Sequence, residues 1–236
     1  MKNGTLFLIP VPLGQTSIAE VLPEPVQNCA KQLKRFVAEN AKSARAFLKL
    51  LPSDTPIQEI EIHELNEHTL QDTLPELLAP LLAGFDVGLI SEAGCPAVAD
   101  PGAQLVALAH REGVPVQPMI GPSSILLALI GSGLSGQNFA FHGYLPAKED
   151  QRQKRLRELE KDSRQEKRAQ IFIETPYRNR QMLDALLSVC AKSTRICVAT
   201  DLTLNSEFIA TRTPDEWRAQ GIPNIDRRPT VFLLQA

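Results

Sequence analysis

The chain has 236 residues, of which 43% are hydrophobic, 22% charged and 5% aromatic. This composition is that of an ordinary globular protein and excludes a disordered chain. Twenty-five Lys and Arg against 27 Asp and Glu give a net charge of −2, which argues against a protein whose main task is to coat nucleic acid. The length admits one large α/β domain or two of roughly 115 residues each.

The start of the chain and its cysteines predict a cytoplasmic protein without membrane contacts. Pro10 and Pro12 interrupt the first apolar run before it reaches the length of a signal-peptide core or a membrane span. The cysteines show neither close pairing nor the density of a disulfide scaffold, so we expect free thiols in a reducing compartment. They are Cys29, Cys95, Cys190 and Cys197.

The first half of the chain alternates short apolar runs with segments of helical spacing, which predicts a parallel α/β domain. The predicted strands are 5–9, 34–38, 57–62, 86–90 and 114–120. The predicted helices are 41–51, 69–82 and 102–111, with Pro75 tolerated near the start of the second and Gly113 as the C-cap of the third.

Beyond Gly121-Pro122 the pattern restarts, and its strands need not all be parallel. We expect strands at 139–143, 169–174, 195–200, 207–212 and 230–234, helices at 123–130, 148–161 and 177–190, and a polar connection at 162–167. The sequence therefore predicts two α/β domains, 1–119 with a parallel sheet and 120–236 with a mixed sheet. A small-molecule cleft is expected between them.

The densest motif is the loop SEAGCPAVADPG at 91–102, which follows a buried strand and precedes a helix. Open α/β sheets bind ligands at that edge. Its small residues would let a ligand approach the backbone closely, and its two prolines and two glycines would fix an irregular loop. A merely well-shaped turn is the alternative.

This loop and five further segments resemble the tetrapyrrole methylase superfamily, and in particular its branch that methylates a ribose 2′-hydroxyl in small-subunit ribosomal RNA. The segments are LFLIPVPLG at 6–14, IGPSS at 120–124, FAFHGYLPAK at 139–148, ETPYR at 174–178 and TVFL at 230–233. The resemblance covers nearly the whole chain. It implies a homodimer, with S-adenosylmethionine in the interdomain cleft held largely by backbone groups.

The resemblance also implies cofactor-binding residues. Pro10 would wall the pocket, and Asp100 would fix the loop or bind the amino group of the cofactor. Ser123 and Ser124, at a helix start, would face the methionine carboxylate or simply cap the helix. The remaining candidates are Glu92, Ala93 and Gly94 at the methionine or adenosine end, and Tyr177, Leu202 and Thr230 facing the adenine. Tyr177 fits a core aromatic at a helix start even better.

Methyl transfer from a sulfonium needs alignment of donor and acceptor, and a hydroxyl acceptor must also lose its proton. Asp100, His142 and Glu207 are the candidate bases by motif position, and none stands out. The four histidines lack zinc-ligand spacing, so no metal is expected. Cys95 is interpreted as a packing residue rather than a nucleophile, because no basic partner is evident beside it.

The leading hypothesis is methylation of RNA, and two alternatives stay open: methylation of a small molecule such as a tetrapyrrole, or a non-catalytic S-adenosylmethionine-binding module. The chain has DLTL at 201–204 where the ribosomal RNA branch carries Glu-Leu-Thr-Lys. Residues 148–168, from Lys148 to Arg168, are rich in basic residues, and either contact RNA phosphates or form a solvated helix with ion pairs. Arg178, Arg180, Lys42, Arg45 and Lys49 would extend such an RNA surface.

Overall fold

A computed structural model describes residues 2–52 and 55–236, apart from the side chain of Gln71. The chain forms two compact units, Met1–Ser123 and Ser124–Ala236. This division lies a few residues beyond the boundary expected between residues 119 and 120. In the described part of the chain, no helix is long and apolar enough to cross a membrane.

The first unit contains a five-stranded parallel sheet, as expected. Its strands are β1 (Leu6–Leu8), β2 (Arg35–Ala38), β3 (Glu61–Glu64), β4 (Val87–Ile90) and β5 (Val116–Pro118), in the order β3-β2-β4-β1-β5. The central strand β4 is buried along its whole length. Because all five strands run in the same direction, the loops that follow them meet at one edge of the sheet.

The described residues of this unit form the α-helices α1 (Ile18–Val21), α2 (Glu24–Gln32), α3 (Ala41–Lys49), α4 (Leu74–Leu82) and α5 (Gly102–Arg111). Asn40 caps α3 by accepting from the amides of Lys42 and Ser43, at 2.8 and 3.3 Å. Pro75 lies in the first turn of α4, as expected, and Gly113 has the positive φ of 69° that ends α5.

Two expectations for the first unit are wrong. The predicted strand 57–62 begins as a 3-10 turn, Ile57–Glu59, and pairing with β2 starts only at Glu61. The alternation of polar and apolar residues at 57–62 suggested a strand, but part of it arises because Ile60 is buried directly after the 3-10 turn, before the chain enters the sheet. The sequence analysis also missed α1 and α2, where Pro23 and Pro25 obscure the helical spacing around the buried Val26 and Ala30.

The second unit contains a mixed sheet, again as expected. Its strands are β6 (Phe139–Tyr144), β7 (Ala169–Ile173), β8 (Arg195–Thr200), β9 (Phe208–Arg212) and β10 (Thr230–Gln235), in the order β6-β7-β10-β8-β9. Only the pair β6 and β7 is parallel. The carboxyl ends of β6, β7 and β8 therefore share one edge with the amino ends of β9 and β10.

The helices of the second unit are α6 (Ser124–Ser132), α7 (Glu149–Glu166), α8 (Asn179–Val189) and α9 (Pro214–Gln220). The polar connection predicted at 162–167 is wrong, because α7 continues to Glu166 and ends at Lys167, which is left-handed with φ 51°. The buried Ser163 accounts for the error: a polar residue occupies a core position, and its hydroxyl donates to the Arg168 carbonyl at 2.7 Å.

The short helix α9 was also missed. Thr213 and Glu216 form a capping box at its start, a signal that the sequence carries. The helix places Trp217 fully inside the unit, where the indole donates to the Ile196 carbonyl at 3.0 Å. Burial of one large aromatic of this kind stabilises a fold by roughly 2–3 kcal/mol.

Candidate active site

At the carboxyl edge of the parallel sheet, the loops after β1 and β4 are joined by backbone hydrogen bonds. The amide of Val11 donates to the Gly94 carbonyl at 3.0 Å, and the amide of Gly94 donates to the Val11 carbonyl at 3.1 Å. The thiol of Cys95 donates to the Pro122 carbonyl, 3.4 Å away, in the segment after β5. The structure thus brings three of the sequence motifs together at this edge.

The glycines of these motifs serve contacts within the protein. Gly94 has φ +72°, and a Cβ there would lie 3.1 Å from Leu13 Cδ2 and 3.3 Å from the Pro122 oxygen. At Gly121 a Cβ would lie 2.3 Å from the Cβ of Pro10. We expected these small residues to make room for a ligand beside the backbone. In the described structure, these glycines instead allow the neighbouring loops to pack closely against each other.

Asp100 organises the long loop after β4. Its Oδ1 accepts from the amides of Ala97 and Gly102, at 3.0 and 2.7 Å. Ala97 and Ala99 both have positive φ, 65° and 58°, a strained conformation for residues with a Cβ. Burial raises the pKa of Asp100, while the two amide hydrogen bonds oppose that rise. Of the two roles expected for this residue, fixing the loop has direct structural support.

Carboxylates gather along the same edge. Glu92, which is exposed, accepts a hydrogen bond from the Ser43 hydroxyl at the start of α3. Glu39, directly after β2, has a raised pKa, chiefly because it is partly buried and also because Asp100, Glu92 and Glu67 are nearby. An edge with this charge favours a cationic ligand. The sequence analysis missed Glu39 and Ser43, although the position just after a strand was a signal for Glu39.

The other predicted residues of this region lie as follows. Pro10 is buried against Gly121, and Ala93 is exposed beside Glu92. Ser123 lies just before α6 and Ser124 begins it, so both are at the expected helix start. Their contact with a carboxylate stays a prediction. Burial raises the pKa of the Cys95 thiol, which keeps it protonated at neutral pH, as a packing residue should be.

In the second unit, the mixed sheet brings Tyr177, Leu202 and Thr230 to one edge. Tyr177 is 73% exposed and Leu202 is 6% exposed. The interpretation of Tyr177 as a core aromatic is therefore wrong: it lies in a 3-10 turn, Pro176–Arg178, before α8, and this turn projects its ring into solvent. Thr230 is buried, and its hydroxyl lies 3.0 Å from that of Thr200.

A buried ion pair holds this edge. Oε1 of Glu174 accepts from Nε and Nη2 of Arg178, at 3.0 and 2.6 Å, and from the amide of Thr175 at 2.7 Å. The other oxygen of Glu174 is buried without a hydrogen-bond partner, as are Oδ1 of Asn179 and the hydroxyl of Thr203. The sequence analysis missed Glu174 and Asn179 as site residues, because nothing in the pattern marks which polar residue becomes buried.

Each unit by itself offers groups that suit part of S-adenosylmethionine. The carboxylates of the first unit suit an ammonium or a sulfonium. Separately, the edge of the second unit contains buried acceptors that lack donors, which suit a hydrogen-bond donor such as an adenine amino group. No group of three or more His, Cys, Asp or Glu in the described residues could hold a metal ion.

Each candidate base has a structural partner. Nε2 of His142 lies 2.6 Å from Oε1 of Gln170, and its Nδ1 lies 3.5 Å from Nη2 of Arg155. Oε2 of Glu207 accepts from the Thr203 amide at 2.8 Å. Asp100 is engaged by its own loop. These contacts do not single out one of the three as the base.

The chain matches the family model of the Tetrapyrrole (Corrin/Porphyrin) Methylases over residues 18–216. It is 30% identical to Ribosomal RNA small subunit methyltransferase I of Xylella fastidiosa over 231 residues, which covers 98% of this chain and 80% of that protein. It is 32% identical to the Synechocystis protein of the same name, covering 85% of this chain and 67% of the relative.

Solved structures share the fold. The methyltransferase CobJ superposes with a TM-score of 0.64 at 19% identity, covering 100% of this chain and 94% of CobJ. Uroporphyrin-III C-methyl transferase from Thermus thermophilus, complexed with S-adenyl homocysteine, gives a TM-score of 0.59 at 17% identity, covering 98% and 97% of the two chains. These solved structures thus show the fold, and the family model and the relatives define the protein as a methyltransferase. The chain belongs to the tetrapyrrole methylase family.

Proposed function

We propose that this protein transfers the methyl group of S-adenosylmethionine to a ribose 2′-hydroxyl of small-subunit ribosomal RNA. The observation that carries the proposal is the identity of about 30% over nearly the whole chain with proteins named for that RNA. The similar structures named for uroporphyrin or cobalamin chemistry share only 16–18% identity. At that level they support the fold and not the substrate.

In this mechanism the cofactor supplies an electrophilic methyl group, and the protein supplies position and charge. The carboxylates Glu39 and Glu92 create a negative potential at the edge of the parallel sheet. Asp100 keeps the loop after β4 in a strained but single conformation, so the ligand meets a preorganised surface. No covalent intermediate on the protein is required. The acceptor proton is proposed to leave through Asp100, His142 or Glu207.

Three further points belong to the proposal. The protein acts in the cytoplasm, where its substrate is. It forms a homodimer, and the large exposed apolar side chains of Ile120 and Ile130, 76% and 78% exposed, are available for such an interface. The exposed side of α7 contacts RNA phosphates through Lys154, Arg157 and Lys161, among others.

One member of the expected RNA surface, Arg152, does not belong to it in the way we predicted, since it is only 4% exposed. Ion pairs also reduce the contribution of others: Arg155 lies 3.2 Å from Glu158, and Arg180 lies 3.1 Å from Asp184. The proposed RNA surface of α7 is therefore carried by its exposed basic residues, and the buried Arg152 could reach RNA only in a different way.

The position of the modification can be tested by alkaline hydrolysis. Cleavage of RNA in alkali requires a free 2′-hydroxyl, so ribose methylation makes one phosphodiester bond resistant. We expect small subunits from a strain that lacks the gene to gain one resistant bond after incubation with the protein and S-adenosylmethionine. Methyl transfer that leaves the alkaline ladder unchanged would contradict a ribose acceptor and indicate a base instead.

A further inference from the structure

Arg152 occupies a position on α7 where the helix pattern calls for an apolar residue. The buried residues of α7 are Arg152, Leu156, Leu159 and Ser163, which follow the spacing of one helix face. Arg152 is 4% exposed, whereas the neighbouring Lys154 is exposed. The sequence therefore places a permanent charge at the beginning of a buried stripe, which costs free energy unless a partner compensates it.

The contacts of Arg152 do not neutralise it. Its Nη1 donates to the Ala147 carbonyl at 3.0 Å, and its Nε is buried without an acceptor. Throughout the described residues, no ion pair includes this guanidinium. Buried arginines are ordinarily paired with a carboxylate or another anion. Among the residues that the structure describes, this cation therefore has no counterion within ion-pair distance.

Arg152 lines a groove of about 570 Å³ between α7 and α8. Two acids also line it, but both have partners: Asp184 accepts from Arg180 at 3.1 and 3.2 Å, and Glu149 accepts from Gln153 at 3.1 Å. Gln181 completes the wall with an exposed amide. Neither acid forms an ion pair with the guanidinium, so Arg152 has no counterion among the residues that line the groove.

We propose that this groove binds a phosphate oxyanion on Arg152, and that the phosphate is a phosphodiester of the RNA substrate. A guanidinium presents parallel N–H groups that match two phosphate oxygens, and burial strengthens such a pair. The exposed Lys148, directly before α7, and the exposed Lys154 within it favour a phosphate that continues into a polyanion over a free ion. The choice of RNA as source rests on the proposed function.

The first test uses inorganic phosphate as the probe. Phosphate, compared with chloride at equal ionic strength, should raise the melting temperature of the parent protein in proportion to its concentration. Arg152→Met should lose that response and melt at or above the parent temperature in phosphate-free buffer, since an apolar side chain replaces a buried unpaired charge. Gln181→Glu, an exposed change that supplies a carboxylate to the groove, should lose the response with the arginine retained.

The second test measures binding of small ribosomal subunits that lack the modification. Arg152→Met should weaken the Kd about tenfold, and the log–log salt slope should fall by about one. Lys192→Met, which removes an exposed charge of the same unit outside the groove, should change neither. Binding of S-adenosylhomocysteine should be unchanged in every variant, which separates the groove from a folding defect.

The results separate three conclusions. An absent phosphate response in the parent overturns the anion site, whether or not the protein binds RNA. A phosphate response that Arg152→Met abolishes, combined with unchanged subunit binding, overturns RNA as the source and leaves a site for free phosphate. A parent that neither binds nor methylates small subunits refutes the proposed function instead, because the phosphate response does not depend on RNA.

Discussion

Pro10 and Gly121 lie so close in the first unit that an ideal Cβ on the glycine would fall 2.3 Å from the Cβ of the proline. The two residues belong to the loops after β1 and β5, and Gly94 between them hydrogen-bonds to Val11. The carboxyl edge of the sheet is therefore held by loop-to-loop contacts.

Gly121→Ala should destabilise the protein by about 1–3 kcal/mol, because the added methyl group must displace the Pro10 ring or the backbone. Affinity for S-adenosylhomocysteine should fall as well. Gly136→Ala is the matched control, since its Cβ would meet nothing within 4 Å and its φ is not in the left-handed region. Thermal melting and titration calorimetry measure the two effects. Normal cofactor affinity in Gly121→Ala would remove this edge from the cofactor site.

Asp100 gives a prediction about pH. Because its pKa is raised in the folded protein, this group favours folding in its protonated form, and that contribution is lost as the pH rises through the folded pKa. Asp100→Asn should keep the hydrogen bonds from Ala97 and Gly102 and remove this loss. The free energy of unfolding should therefore rise relative to the parent as the pH rises above the ordinary pKa of an aspartate carboxyl.

Asp100→Ala is the complementary variant. It removes the acceptor for the amides of Ala97 and Gly102, so it should lower stability by about 1–3 kcal/mol at every pH. Urea denaturation at a series of pH values measures both variants. A parent-like pH profile for Asp100→Asn would contradict the assigned direction of the pKa shift.

Removal of Arg178 alone should cost more stability than removal of both charges of the Glu174–Arg178 ion pair. Arg178→Met leaves the fully buried carboxylate without its cation and should cost about 3–5 kcal/mol. The double variant Glu174→Gln, Arg178→Met should recover part of this loss, because the unpaired charge is gone. A double-mutant cycle by urea denaturation measures the difference. If the double variant is less stable than Arg178→Met alone, the unpaired carboxylate is not the cause.

The exposed side of α7 gives a prediction about RNA. Reversal of Lys154, Arg157 and Lys161 to Glu should weaken binding of small ribosomal subunits and flatten its dependence on salt, since fewer counterions are released. Arg152 is left unchanged in this variant. S-adenosylhomocysteine affinity serves as the internal control. If the reversed variant binds subunits with the same salt dependence as the parent, α7 does not contact RNA and is only a solvated helix.

The sequence predicted the sheets well because short apolar runs between polar residues define β4, β7, β8 and β10 without reference to distant residues. It failed where a polar residue occupies a core position, as Ser163 and Arg152 do on α7, because hydropathy assigns such positions to the surface. The sequence also predicted which loops belong to the site, but it did not predict how these loops contact one another. The roles of Gly121 and Glu174 depend on partners that only the folded chain brings together.

The most direct test of the central claim is transfer of tritium from S-adenosyl-[methyl-³H]methionine to fractions of a strain that lacks the gene. Small ribosomal subunits, large subunits, total RNA and a protein-free small-molecule extract are offered separately, with the melting curve of the protein confirming that it is folded. We predict label in the RNA of the small subunit and none in the large subunit. Label confined to the small-molecule extract, or no label in any fraction, would contradict the account.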